Sequence, residues 1–135
     1  MMSEKEIEKG FETLLNKHCV VFWRKIWQGP MSRTGFPDNV VTFRWRGDDE
    51  GFTLLLEAKR YGKELTRDQE ETLREHARAG GIGGLLTINK EETHFIIEFI
   101  VCRGGQEFIV PASIARDGDM YDVATGLSQH PRIDL

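Results

Sequence analysis

The sequence predicts an α/β domain built on a central mixed β-sheet flanked by helices. Three observations carry this. Apolar residues recur at helical spacing in two stretches, 3–18 and 65–81, while short segments rich in β-branched and aromatic residues fill the intervals. The β-rich segments 39–46 and 52–59 are separated only by "GDDEG", a hairpin turn. Between 52–59 and the next β-rich segment lies a helix, and that interval is long enough for a parallel crossover. One antiparallel pair and one parallel pair in the same chain make a mixed sheet.

Residues 3–18 form the first predicted helix. Ile7, Phe11, Leu14, Leu15 and His18 share one face, Ser3 is available as N-cap, and glutamates crowd the first turns. "VVFWRKIW" (20–27) is dense in apolar and aromatic residues and suits a strand, whereas "QGPMSRTGFP" (28–37) carries the Gly, Pro and small polar residues of a loop. "NVVTFRWR" (39–46) and "FTLLLEAK" (52–59) then pair as the hairpin. "LTRDQEETLREHARAGG" (65–81) is the clearest helix: Thr66 and Gln69 have capping-box spacing, and Gly80-Gly81 stops it. "LLTIN" (85–89) and "HFIIEFIV" (94–101) read as two further strands and "QEFIVPASI" as one more edge element. The tail from Arg116 shows no periodicity. At 135 residues the chain is expected to be one domain, with a core over about 4–103 and an extension over 104–135 that acts as an edge cover or a dimer arm.

Composition narrows the class. With 39% hydrophobic and 30% charged residues the chain is ordinary globular material. Charged side chains begin at Glu4, so a signal peptide is not expected, and no apolar run approaches the ~18 residues of a membrane span. Cys19 and Cys102 lack any CxxC partner, which disfavours a zinc site or disulfide framework and points to a cytoplasmic protein with reduced thiols. The net charge is −4, yet Lys17 to Arg67 holds ten Lys/Arg against six Asp/Glu, leaving eight and sixteen for the remainder. A locally basic surface on an acidic protein still attracts phosphates.

The chemistry concentrates around the hairpin. Glu57 and Lys59 project from one strand face while Ala58 points the other way, so "TLLLEAK" ends with two opposite charges on one side. In a simple register about "GDDEG", Asp38 comes near Glu57. Two carboxylates ~4 Å apart repel by about 1–4 kcal/mol at effective dielectrics between water and a protein surface, and a hard divalent cation removes that penalty. Each residue alone has an ordinary explanation: an Asx-turn at Asp38, a solvated ion pair for Glu57 and Lys59. Their ordered combination, followed by a capped helix, favours a site.

The set Pro37-Asp38 … Glu57-x-Lys59 resembles the PD-(D/E)xK nuclease superfamily. "GFPD" followed by "EAKRYGKELTRDQ" and "AGG" is similar to its VRR-NUC and Holliday-junction-resolvase branches, over roughly residues 4–90. The resemblance implies a restriction-endonuclease-like core. It also implies Asp38 and Glu57 as ligands of Mg²⁺ (or Mn²⁺), with the Ala58 carbonyl completing the protein's share. Lys59 would be the catalytic lysine beside the attacking water. Gln69 matches the family glutamine near the active site, although a capping box already occupies it. Many members use an acid on the first helix; Glu8 has the expected spacing, with Glu4 and Glu12 one turn to either side. Asn39 departs from the pattern, standing where an apolar residue is commoner.

Arg24, Lys25, Ser32, Arg33 and Thr34, on or beside the loop leading into Asp38, have the cations and hydroxyls that suit phosphate oxygens, as does Lys63 after the E-x-K strand. Trp23 and Trp27 share a strand face and are read as core or dimer surface in preference to base-stacking platforms. "GGIGG" (80–84) follows a helix and precedes a strand, the reverse of a phosphate loop, and reads as a helix stop, while "DGDMYD" (117–122) lacks calcium-loop spacing and reads as an acidic turn. The expectation is a metal-dependent endonuclease acting on branched or otherwise structured DNA as a homodimer. The rival readings are an inactive nucleic-acid-binding module, a partner-binding protein on the same fold, and a restriction-type duplex nuclease.

Overall fold

A computed structural model describes residues 1–26 and 35–127. Six strands form one sheet in the order β1-β2-β3-β4-β5-β6, and every neighbouring pair is antiparallel except β3 and β4. The elements in chain order are α1 (Glu4–His18), β1 (Cys19–Lys25), β2 (Asn39–Trp45), β3 (Phe52–Ala58), α2 (Arg67–Arg78), β4 (Ile82–Ile88), β5 (His94–Arg103), β6 (Gln106–Ala115) and α3 (Met120–Leu127). The mixed sheet expected from the sequence is therefore present, and α2 is the crossover between its parallel strands.

Helix α1 starts where its cap demands. Ser3 Oγ accepts from Glu6 N–H while Glu6 accepts from Ser3 N–H, so two N–H groups without helical partners are satisfied reciprocally. Its buried stripe of Ile7, Phe11, Leu14 and Leu15 packs on the sheet face that carries Trp23, Val41, Phe43, Leu54, Leu56, Leu86, Phe95 and Ile97. Phe11 meets Phe95 and Trp23 edge-on, at centroid distances of 5.4 and 6.4 Å. A smaller cluster on the other face joins Leu73 and Ala77 of α2 to Ile100, with Leu55, Leu65 and Cys102 against it. The alternation of β3 accounts for both: Leu54, Leu56 and Ala58 serve the α1 side, and Leu55 serves the α2 side.

Two parts of the sequence reading are corrected and one is extended. Strand β4 begins at Ile82, so Gly83 and Gly84 belong to the sheet rather than to the helix stop. They suit that place because a Cβ at Gly83 would lie 3.3 Å from Leu73 Cβ, and one at Gly84 3.0 Å from Leu54 and Leu56 Cδ1. The edge element β6 runs for ten residues and pairs with β5 throughout, with Pro111 tolerated on an edge strand. The tail contains α3, whose short span hid its periodicity. Asp119 and Asp122 exchange backbone N–H bonds at its start, which is what "DGDMYD" does. Val123 and Leu127 enter the α1-side core, so residues 106–127 complete the sheet and core instead of extending from them.

Gly126 marks how closely α3 approaches the sheet, since a Cβ there would lie 2.4 Å from Ile114 Cγ1. Replacing a helical glycine by alanine favours the helix by about 1 kcal/mol, whereas overpacking costs about 1–3 kcal/mol. At this separation overpacking wins. Gly126→Ala is expected to lower unfolding stability by roughly 1–2 kcal/mol, read by urea denaturation.

Candidate active site

Sheet register brings the hairpin carboxylates together. Asn39 pairs with Leu56, so the next position outward sets Asp38 against Glu57. Asp38 N–H donates to Glu57 Oε2 at 3.1 Å. Ile26 N–H donates to Asp38 O at 2.7 Å and Lys59 N–H to Leu86 O at 2.9 Å, fixing the backbone on both sides of the pair. Asn39 is fully buried and structural: its Oδ1 accepts from Trp23 Nε1 at 3.0 Å and its Nδ2 donates to Leu56 O at 3.3 Å. Trp23 is accordingly core, and Trp27 lies outside the described residues.

Glu57 is the centre of the arrangement, with only 2% of its surface exposed. Gln69 Nε2 donates to its Oε1 at 3.1 Å, and Lys59 Nζ stands 3.9 Å from the same oxygen. Gln69 is at once a partner of Glu57 and a member of the helix cap. Its Oε1 accepts from Thr66 N–H at 2.9 Å and its backbone N–H donates to Thr66 Oγ1 at 3.2 Å, closing the capping box of α2. Burial, and then the charge of Asp38, push the Glu57 carboxyl up from 4.5 to about 7, against the lowering pull of the Asp38 N–H and Lys59. Glu4 adds a smaller raising contribution.

The helix-1 acids separate. Glu8, which falls on the buried stripe of α1, is ion-paired with Lys25. Glu4 is the α1 acid whose charge reaches Glu57, and it lines a cleft with Lys59. Among the expected nucleic-acid contacts, Arg24 is engaged on its own strand: its Nη1 donates to Trp23 O at 2.8 Å and its guanidinium lies 4.5 Å from the Phe22 ring centroid. Lys25 is committed to Glu8, while Lys63 shares the cleft with Lys59. Ser32, Arg33 and Thr34 lie outside the described residues. Sequence reasoning missed Lys5 and Arg60, which line that cleft too. Arg60 directly follows the E-x-K triplet, but nothing local announces Lys5, which arrives through the packing of α1.

Gly35 has a role the loop assignment did not reveal. Its φ is +82°, and a Cβ there would lie 2.5 Å from the Asp68 carbonyl carbon in the first turn of α2. The turn into Asp38 thus rests directly on the helix that carries Gln69.

Two adjacent carboxylates, one of them buried, are hard oxygen donors of the kind that suits a small divalent cation. Among the described residues no group of three or more His, Cys, Asp or Glu gathers; the carboxylates whose charges meet here are those of Asp38 and Glu57. One or two protein carboxylates with water and substrate oxygens is the usual provision for Mg²⁺. No helix among the described residues is long and apolar enough to cross a membrane. Comparison of the chain with protein-family models, with curated proteins and with solved structures finds no match.

Two outcomes are expected. Without added metal, native Glu57 holds a proton that the unfolded chain releases between pH 4.5 and about 7. Stability therefore falls as pH rises through that window, by about 3 kcal/mol, and levels off above it. Urea titrations in EDTA should show this fall for the wild type, with Glu57→Gln lacking that component. Gly35→Ala, strained at positive φ and blocked by Asp68 backbone, should cost roughly 1–3 kcal/mol in the same titration.

Proposed function

We propose that the protein is a metal-dependent endonuclease of the PD-(D/E)xK type, on a restriction-endonuclease-like core, hydrolysing phosphodiester bonds in DNA. The observation that carries the reading is the convergence on buried Glu57 of Asp38, Lys59 and Gln69 from three separate segments. A structural ion pair would need only Glu57 and Lys59. It would not call for a second carboxylate beside the first, nor for a helix-capping amide turned toward it.

Asp38 and Glu57, with the Ala58 carbonyl, would hold Mg²⁺ or Mn²⁺, which when bound supplies Lewis-acid polarisation of a phosphate oxygen and an acidified water. Gln69 keeps Glu57 in one orientation. Lys59, with 13% of its side chain exposed, presents an ammonium at the mouth of the site. There it can orient the incoming water and offset the negative charge that grows on the phosphoryl oxygens. The carboxylates cannot do this, because their own charge opposes the substrate's. Branched or structured DNA is the substrate assigned to the reading, and a homodimer would present two such edges to a two-fold junction.

The deciding assay is cleavage of labelled four-way junction, flap, single-stranded and duplex DNA with Mg²⁺, Mn²⁺ or EDTA. Metal-dependent cutting is expected, abolished by Asp38→Ala and Lys59→Ala. Wild type that binds these substrates but cuts none of them would favour the inactive binding module. Gln69→Ala should lower activity or apparent Mn²⁺ affinity about 10–100-fold, a positioning effect visible as a rightward shift of the Mn²⁺ titration.

A further inference from the structure

The mouth of the site opens into a cleft of about 410 Å³ lined by Ser3, Glu4, Lys5, Lys59, Arg60 and Lys63. Four cations face one carboxylate there, although the whole chain carries a net charge of −4. The engagement of these cations differs from that of others in the molecule. Lys25 is taken up by Glu8, and Arg74 and Arg78 are both held by Glu107. Among the described residues, Lys5, Arg60 and Lys63 have no carboxylate within ion-pair distance. A cation already bound to a carboxylate gains little from a phosphate, whereas a solvated one releases a counterion when it takes one.

We infer that Lys5, Arg60 and Lys63 form a phosphate track that holds the nucleic-acid backbone next to the scissile bond; this rests on the nuclease reading of the Asp38–Glu57 edge. Lys59 is the point where track and site meet, because it lines the cleft and also approaches Glu57. The track draws its residues from the first turn of α1 and from the segment after β3. The backbone therefore crosses from the strand ends toward the first turn of α1. Glu4 is the one opposing charge in the cleft. It excludes a phosphate from its own position and so sets where along the track the phosphates sit.

The test is a salt titration of binding in EDTA, which reads the track without requiring catalysis. A fluorescein-labelled duplex and a labelled four-way junction are titrated with protein from 50 to 200 mM salt by anisotropy. Lys5→Ala, Arg60→Ala and Lys63→Ala should each weaken binding and flatten the slope of log Kobs against log salt by about 0.9. Removal of one contact reduces the loss of affinity across that range by roughly threefold. Arg78→Ala, whose guanidinium is already held by Glu71 and Glu107, should leave the slope unchanged. Variants with wild-type slopes would overturn the track, as would wild-type protein that binds neither DNA. Wild type that cuts while all slopes stay equal leaves the nuclease reading standing and removes the track. Slopes that fall in protein that never cuts retain the track and remove the nuclease.

Discussion

The arrangement of this molecule turns on how it keeps one carboxylate out of water. Leaving a buried acid without hydrogen-bond partners is costly, and Glu57 meets that constraint by accepting from the backbone N–H of Asp38, just ahead of β2, and from an amide on α2. Those bonds require β2 and β3 to stand in their observed register, α2 to begin where it does, and the 35–38 turn to lie against its first turn. A slip of one residue in the hairpin would turn Asp38 and Glu57 away from each other and expose the apolar set of β3. Core packing and site geometry therefore demand the same register, and neither can shift without the other.

Much of this was legible in advance because the signals were local. Both helix caps follow from a hydroxyl and a side-chain acceptor three residues apart, and both form as expected. That Asp38 and Glu57 come near each other followed from the turn between their segments, whereas their direct pairing is set by the register of β2 and β3. What escaped was non-local or too short to show a period. Gly83 and Gly84 read as helix-stopping residues until the neighbours filling their missing side-chain volume, Leu73, Leu54 and Leu56, are known. Helix α3 offers only eight residues, too few for a repeating apolar stripe to stand out. The choice among Glu4, Glu8 and Glu12 depended on which turn of α1 approaches Lys59 and which approaches Lys25, a matter of helix placement on the sheet.

Charge is organised by engagement more than by number. The far side of α2 binds the β5–β6 turn region through Arg74, Arg78 and Glu107, with Arg74 Nη1 2.5 Å from Glu107 Oε2. Exposed pairs of this kind contribute about 0–1 kcal/mol each and serve mainly to position the helix. Around the strand ends the balance differs, and cations there remain solvated beside a desolvated acid. The acidic net charge of the chain thus conceals a division of labour between cations that hold the fold and cations that stay available.

The amide of Gln69 carries a consequence for which sequences this fold can accept. At the third position of a capped helix glutamate and glutamine serve equally, because only the acceptor oxygen is used. Here the nitrogen end is also occupied, by Glu57 Oε1 at 3.1 Å. Glutamate would retain the helix cap yet set a third acid against Asp38 and Glu57, and asparagine, one methylene shorter, would have to span the same two partners with less reach. The position is thereby narrowed from a pair of interchangeable residues to one, and a difference of a single nitrogen atom separates a helix that merely starts from a helix that also steadies its neighbour.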